Sequence, residues 1–216
     1  MPSPQSPAGP HQFVSPAALR RTVLLVAALN LAYFFVEASV AWRIGSVSLF
    51  ADSVDFLEDT AVNLLIALAL GWSLRWRSHM GKVMAIVILV PAAAALWQAV
   101  SKFRDPHPPE VLSLALTAGG AIVVNSVCAL ILMRIRHHGG SMSRAAFLAA
   151  RNDVVANAAI IAMAGITAWT RSGWPDIVLG VLIVVLNGAA AKEVWEVATE
   201  EGLAAKALAG EAPGDD

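Results

Sequence analysis

Residues 51–72 read ADSVDFLEDTAVNLLIALALGW, in which four acidic side chains, Asp52, Asp55, Glu58 and Asp59, open a run that is otherwise apolar enough to enter a bilayer. Each carboxylate near the middle of a membrane costs about 2.5–3.5 kcal/mol on insertion scales, so several in one helix need a shared purpose. Residues of this kind usually face the protein interior and mark an ion or proton pathway.

The rest of the chain supplies the membrane context. Its 216 residues are 57% hydrophobic and only 14% charged, and the mean hydropathy is +0.65, which is too apolar for a soluble domain of this length. Crossing the hydrocarbon core takes roughly 20 apolar residues as a helix. Six such stretches occur, near 20–43, 47–72, 81–103, 111–135, 143–170 and 176–198, separated by RIGS, SLRWRSHMGK, RDPHPPE, RHHGGSMS and RSGWPD. Trp42, Trp72, Trp76, Trp169 and Trp174 fall at the ends of these runs, as interfacial anchors should. The expectation is an all-α integral membrane protein, a six-helix transmembrane bundle over residues 19–198. A Pro- and Ser-rich disordered tail at 1–18, without the features of a signal peptide, precedes it, and a short C-terminal tail at 199–216 follows.

Lys and Arg set the orientation. Ten lie on the side of the two termini (Arg20 through Lys206) and four on the other (Arg43, Lys102, Arg104 and Arg171), so both termini are expected in the cytoplasm. A net charge of −1 gives no basic surface for nucleic acid. Cys128 is the single cysteine, so no intramolecular disulfide can form, and a small packing residue is the reading. Pro91 is expected to kink the third span, and His79, His107, His137 and His138 are expected in loops.

Within α-helical geometry, Asp52, Asp55 and Asp59 follow an i, i+3, i+7 spacing and share one face, with Asn63 one turn further; Glu58 points elsewhere. Asp55 and Asp59 are about one turn apart, close enough to grip one divalent cation. Two free carboxylates at that separation repel each other, so a proton and a cation compete for the pair. Set against 55–71 (DFLEDTAVNLLIALALG), residues 149–165 (AARNDVVANAAIIAMAG) align Asp153 with Asp59 and Asn157 with Asn63. Both aspartates fall near mid-span, where transporters place substrate. Asn30 and Glu37 form an i, i+7 stripe on the first helix and Asn125 lies on the fourth, so helices one, two, four and five are expected around a hydrophilic cavity, with three and six outside. Asn30 and Asn125 read as interhelical hydrogen-bond partners. Glu37 is open between proton acceptor and cavity acid, and Arg151 between pairing with Glu37 or Glu58 and snorkelling to the interface.

The stretches NLAYFFVEASVAWRIGSVSLFADSVDFLEDTAVN (30–63), VVNSVCALIL (123–132) and SRAAFLAARNDVVANAAII (143–161), with WPDIVLGVLIVVLNGAA (174–190) more weakly, resemble the cation diffusion facilitator family of divalent-metal/proton antiporters. The resemblance implies a His/Asp-x-x-x-Asp pair on the second helix, here Asp55 and Asp59, facing a similar pair on the fifth. Asp153 matches there, but the partner position is Ala149. Asn157 or water is then expected to complete the metal set, with Asn152 and Asp52 as further candidates. It also implies a homodimer in a cell membrane, the inner one in a bacterium. No His-rich loop joins helices four and five, and the family's cytoplasmic C-terminal metal-binding domain is expected to be missing. An oxygen-only donor set suits Mn²⁺ or Fe²⁺; the family resemblance favours Zn²⁺, with Co²⁺ and Cd²⁺ beside it. No resident cofactor is expected. Membrane phosphotransferases and two-aspartate intramembrane proteases are disfavoured, because the required glycine and arginine signatures are missing around the acids. Proton-coupled export of another cation, or no transport at all, stays open as an alternative.

Overall fold

The computed structural model describes residues 15–69, 71–135 and 140–209. Six helices follow one another: α1 (Pro16–Ile44), α2 (Val47–Ala69), α3 (Leu74–Lys102), α4 (Val111–Met133), α5 (Gly140–Thr170) and α6 (Trp174–Ala209). Local chemistry sets their ends. Ser15 caps α1 by accepting from the Ala18 backbone N–H, with proline at the first position where its missing N–H costs nothing. Gly45 ends the same helix at φ 66°, a left-handed turn that lets α2 start two residues later. Glu110 caps α4 through the N–H of Ser113.

Helix contacts define the architecture. α1 packs on α2, α2 on α5, α5 on α4 and α4 back on α1, so these four close a ring. α3 and α6 pair with each other and lie against α2, outside the ring, as the distribution of polar stripes predicted. α2 is thereby surrounded by α1, α3, α5 and α6. Of the six described helices, five are long and apolar enough to span a bilayer. α2 has the length, at 23 residues, but carries the four acids, and its position among other helices keeps them from lipid. Leu25, Phe35, Val90, Leu116, Val155 and Val185 are exposed on the outside of the bundle, as a lipid-facing belt requires. All five tryptophans expected at the interfaces are exposed.

Three boundaries differ from expectation. α3 begins at Leu74, seven residues before the apolar run, so His79 lies in a helix and not in a loop. α6 continues to Ala209, making residues 199–209 of the expected tail helical. The reason is packing between the two extensions. A Cβ on Gly81 would lie 2.7 Å from that of Ala198, a Cβ on Gly202 would lie 2.7 Å from Ser78 Oγ, and Arg77 pairs with Glu201. Ala, Leu, Glu and Lys dominate the last turns of α6 and favour helix. Pro91 lies inside an uninterrupted α3. His107 is in the α3–α4 loop, paired with Asp105. The tail expected at 1–18 is helical at 16–18, where α1 begins after its Ser15 cap; residues 1–14, His137, His138 and residues 210–216 lie outside the described residues.

Candidate metal and proton site

The acids depend on how α2 is held. Four backbone N–H groups at a helix start lack intrahelical partners, and here α6 supplies an acceptor. The fully buried Asp176 carboxylate accepts from Val47 N (2.8 Å), Ser48 N (3.1 Å), Ser48 Oγ (2.7 Å) and Ser46 Oγ (2.7 Å). Lys102 Nζ of α3 approaches the same carboxylate at 3.3 Å. Gly180 permits the close approach, since a Cβ there would sit 2.7 Å from the Ser48 backbone nitrogen. Further along, Asn187 Nδ2 donates to Ala51 O at 2.8 Å. On the opposite side, Thr60 Oγ1 donates to Phe56 O (2.7 Å) and approaches Ala27 O of α1 (3.4 Å). α2 is thus tied at its start, at its middle and on two faces.

Along that helix Asp52 is fully buried and Asp59 is 6% exposed, while Asp55 is half-buried. Asp153 on α5 is also half-buried and lies within electrostatic reach of Asp52, Asp55 and Asp59. The structure therefore gathers the three α2 aspartates and Asp153 in one region between α2 and α5. They do not close on a point: among the described residues, no three Asp, Glu, His or Cys side chains are near enough to hold one metal ion.

The amides divide. Asn157 is fully buried; its Nδ2 donates to Asp52 Oδ1 (3.3 Å) and to the Asp153 backbone carbonyl (3.0 Å), so it bridges the two acids. Asn152 is exposed and its Oδ1 accepts from Arg151 at 3.4 Å, so the structure does not bring it to the carboxylates. Arg151 is itself exposed and forms no ion pair with Glu37 or Glu58. Glu58 is half-buried and lies within electrostatic reach of Asp55, Asp59 and Asp153 as well as of Glu193 on α6. Ala149 is half-buried on α5, one turn before Asp153, and offers no donor atom.

Two functional contacts went unread in the sequence. Asn30 is more than interhelical adhesive: its Nδ2 donates to Asp59 Oδ2 at 3.4 Å, while its Oδ1 accepts from Cys128 Sγ at 3.6 Å. A candidate ligand is thereby oriented from α1 and, through Cys128, from α4. The Glu37 carboxyl lies within electrostatic reach of that of Asp52. The i, i+7 stripe on α1 was the available signal for both, but it could not name the partners.

Chemically, the region offers carboxylate and amide oxygens in an otherwise apolar bundle. Charges so placed must be neutralised by protons or by a cation, and each of these displaces the other. A model of the cation efflux transmembrane domain matches residues 23–198. The zinc transporter ZitB of Escherichia coli (strain K12) is 29% identical over 185 residues, covering 77% of this chain and 57% of that protein. ZitB of Yersinia pestis is 26% identical over 180 residues with the same coverage, and ZitB of Pectobacterium atrosepticum is 27% identical over 180 residues, covering 76% and 55%. The chain spans a little over half the length of these curated relatives.

Proposed function

Because this chain belongs to the cation efflux, or cation diffusion facilitator, family of membrane transporters, we propose that it exports a divalent transition-metal cation in exchange for protons by alternating access. The family is one of transporters and not of enzymes. The observation that carries the proposal is the grouping of Asp55 and Asp59 of α2 with Asp153 of α5 between the two helices, half-buried or buried, with no basic side chain paired to them. Asp55, Asp59 and Asp153 are the proposed ligands, with the Asn157 amide oxygen, which lacks a hydrogen-bond partner, as the fourth donor. A small approach of α5 to α2 would close these groups around an ion, and reopening toward the other side would release it. Protons then take the place of the metal on the carboxylates for the return. The excess of Lys and Arg on the side of the termini supports cytoplasmic termini and export away from them.

Zinc is the proposed cargo, on the strength of relatives named as zinc transporters. One observation favours a second reading: Ala149 leaves the site without a nitrogen ligand, and an all-oxygen set suits Mn²⁺ or Fe²⁺. Reconstituted vesicles containing a metal-sensitive dye, given Zn²⁺, Mn²⁺, Fe²⁺, Co²⁺ or Cd²⁺ under a pH gradient, decide between them. The proposal expects gradient-dependent uptake that Asp59→Ala abolishes; uptake unchanged by that substitution would remove the site.

A further inference from the structure

Toward the α1–α2 turn from the proposed transport ligands lies a second set of buried oxygens without hydrogen-bond partners among the described residues. Glu37 of α1 is fully buried, and neither carboxyl oxygen has a hydrogen-bond partner. Asp52 of α2 is fully buried and within electrostatic reach of Glu37; its Oδ1 accepts from Asn157, and its Oδ2 has no donor. The Asn157 amide oxygen, also fully buried, is the fourth such atom. Three helices thus contribute four acceptor oxygens without a donor among them.

The surroundings do not neutralise the group. Tyr33 stands near both acids, but its hydroxyl donates to Thr117 O at 2.7 Å. The Ser53 hydroxyl is committed to Phe50 O and that of Ser48 to Asp176. Lys102 is paired with Asp176, and Arg43 at the end of α1 is exposed. The other titratable groups in reach, Asp55 and Asp153, are themselves acids and add to the deficit. Two carboxyl groups buried within electrostatic reach of each other require either protons or a positive ion. One divalent cation balances two carboxylates, and oxygen donors alone match a hard divalent ion.

Asp52 and Asp59 are seven residues apart on α2, which separates them by roughly 10 Å at 1.5 Å per residue. The group is therefore displaced from a centre at Asp59, although Asp55 is only about 4.5 Å along the helix from Asp52, and it lies nearer the α1–α2 turn, on the side where the bundle is proposed to release its cargo. Asn157 connects the two, since one Nδ2 contacts both Asp52 and the Asp153 carbonyl. We propose that Glu37 and Asp52 form a second divalent-cation station on the exit path, through which an ion leaving Asp55, Asp59 and Asp153 passes, with the single Asn157 amide oxygen handed from the first position to the second. The proposal rests on the transport reading for the direction of passage, but not for the existence of the station.

Mn²⁺ bound per chain, counted by electron paramagnetic resonance on the purified full chain in lipid nanodiscs, tests this. The wild type is expected to bind two ions, and the combined Asp55→Asn, Asp59→Asn and Asp153→Asn variant one. Adding Glu37→Gln to that variant should remove the remaining ion, while Glu37→Gln alone should leave one. Glu37→Asp keeps the charge on a shorter stem and should weaken the second ion without abolishing it, which separates loss of a ligand from loss of the fold. No ion on the triple variant would overturn the station and leave the pair neutralised by protons. Equally, two ions retained by Glu37→Gln would overturn it. Loss of the transport reading has another signature: wild type and triple variant would bind the same single, Glu37-dependent ion.

Discussion

Replacing Asp176 should damage the protein more than its position at the far end of the bundle suggests. Its carboxylate serves two backbone N–H groups of α2, two serine hydroxyls and the Lys102 ammonium, all within 3.3 Å; all but the partly exposed Lys102 are fully buried. In Asp176→Ala the Val47 and Ser48 donors lose their acceptor; a buried unsatisfied donor costs about 1–3 kcal/mol, and breaking a buried ion pair by removing one partner costs about 3–5 kcal/mol. These terms share one group and do not add, so the expected loss is about 3–5 kcal/mol. At about 2–4 °C per kcal/mol for a chain of this size, the thermal midpoint in detergent should fall by roughly 6–20 °C. Asp176→Asn keeps one acceptor oxygen and should lose about half as much, roughly 1.5–2.5 kcal/mol. Lys102→Met leaves the fully buried carboxylate without its countercharge but with four donors, and should fall between wild type and Asp176→Ala. Differential scanning fluorimetry on the three variants checks the order. A midpoint for Asp176→Ala within 2 °C of wild type would refute the claim that α6 holds the start of α2.

Further outcomes follow from other contacts. Gly180→Ala places a methyl 2.7 Å from the Ser48 backbone nitrogen, and overpacking of that kind costs about 1–3 kcal/mol; Gly165→Ala, with open space around it, should leave the melting midpoint unmoved. Asn30→Ala removes the donor that orients Asp59 and should weaken metal binding about 10–100-fold, as loss of a group that orients a ligand usually does, measured by isothermal titration. Ala149→His puts a nitrogen ligand one turn before Asp153 and should tighten Zn²⁺ relative to Mn²⁺; an unchanged ratio would show that position 149 lies off the site. Because protons compete for the same carboxylates, apparent metal affinity should rise with pH, and the rise should be smaller in Asp59→Asn, which has one fewer competing carboxylate.

The fold was legible because its signals are long-range in composition. Six apolar runs with tryptophans at their ends are difficult to read as anything except spans, and the helices match those runs except where α3 and α6 extend. Those extensions were missed because apolar content marks where a helix leaves lipid, not where it ends; Gly81, Gly202 and the Arg77–Glu201 pair continue the α3–α6 contact beyond the membrane. At the site, periodicity placed Asp52, Asp55 and Asp59 on one face, and the echo at 149–165 brought in Asp153. Periodicity works within a helix and is silent between helices. That Asn30 would meet Asp59, or Glu37 approach Asp52, depends on how far α1 slides along α2, and no local pattern records that offset. Asn152 shows the same limit from the other side. It neighbours Asp153 in sequence, yet a 100° turn of the helix leaves it exposed beside Arg151.

The central claim is that α2 and α5 hold the same ion. A double-mutant cycle on Zn²⁺ affinity, with Asp59→Asn, Asp153→Asn and the pair together, measures it directly. If both carboxylates ligate one cation, the second substitution should cost far less once the first has been made, giving a coupling of about 0.5–3 kcal/mol. Losses that add to within about 0.3–0.5 kcal/mol would mean that the two aspartates act independently, and would contradict a shared site between the helices.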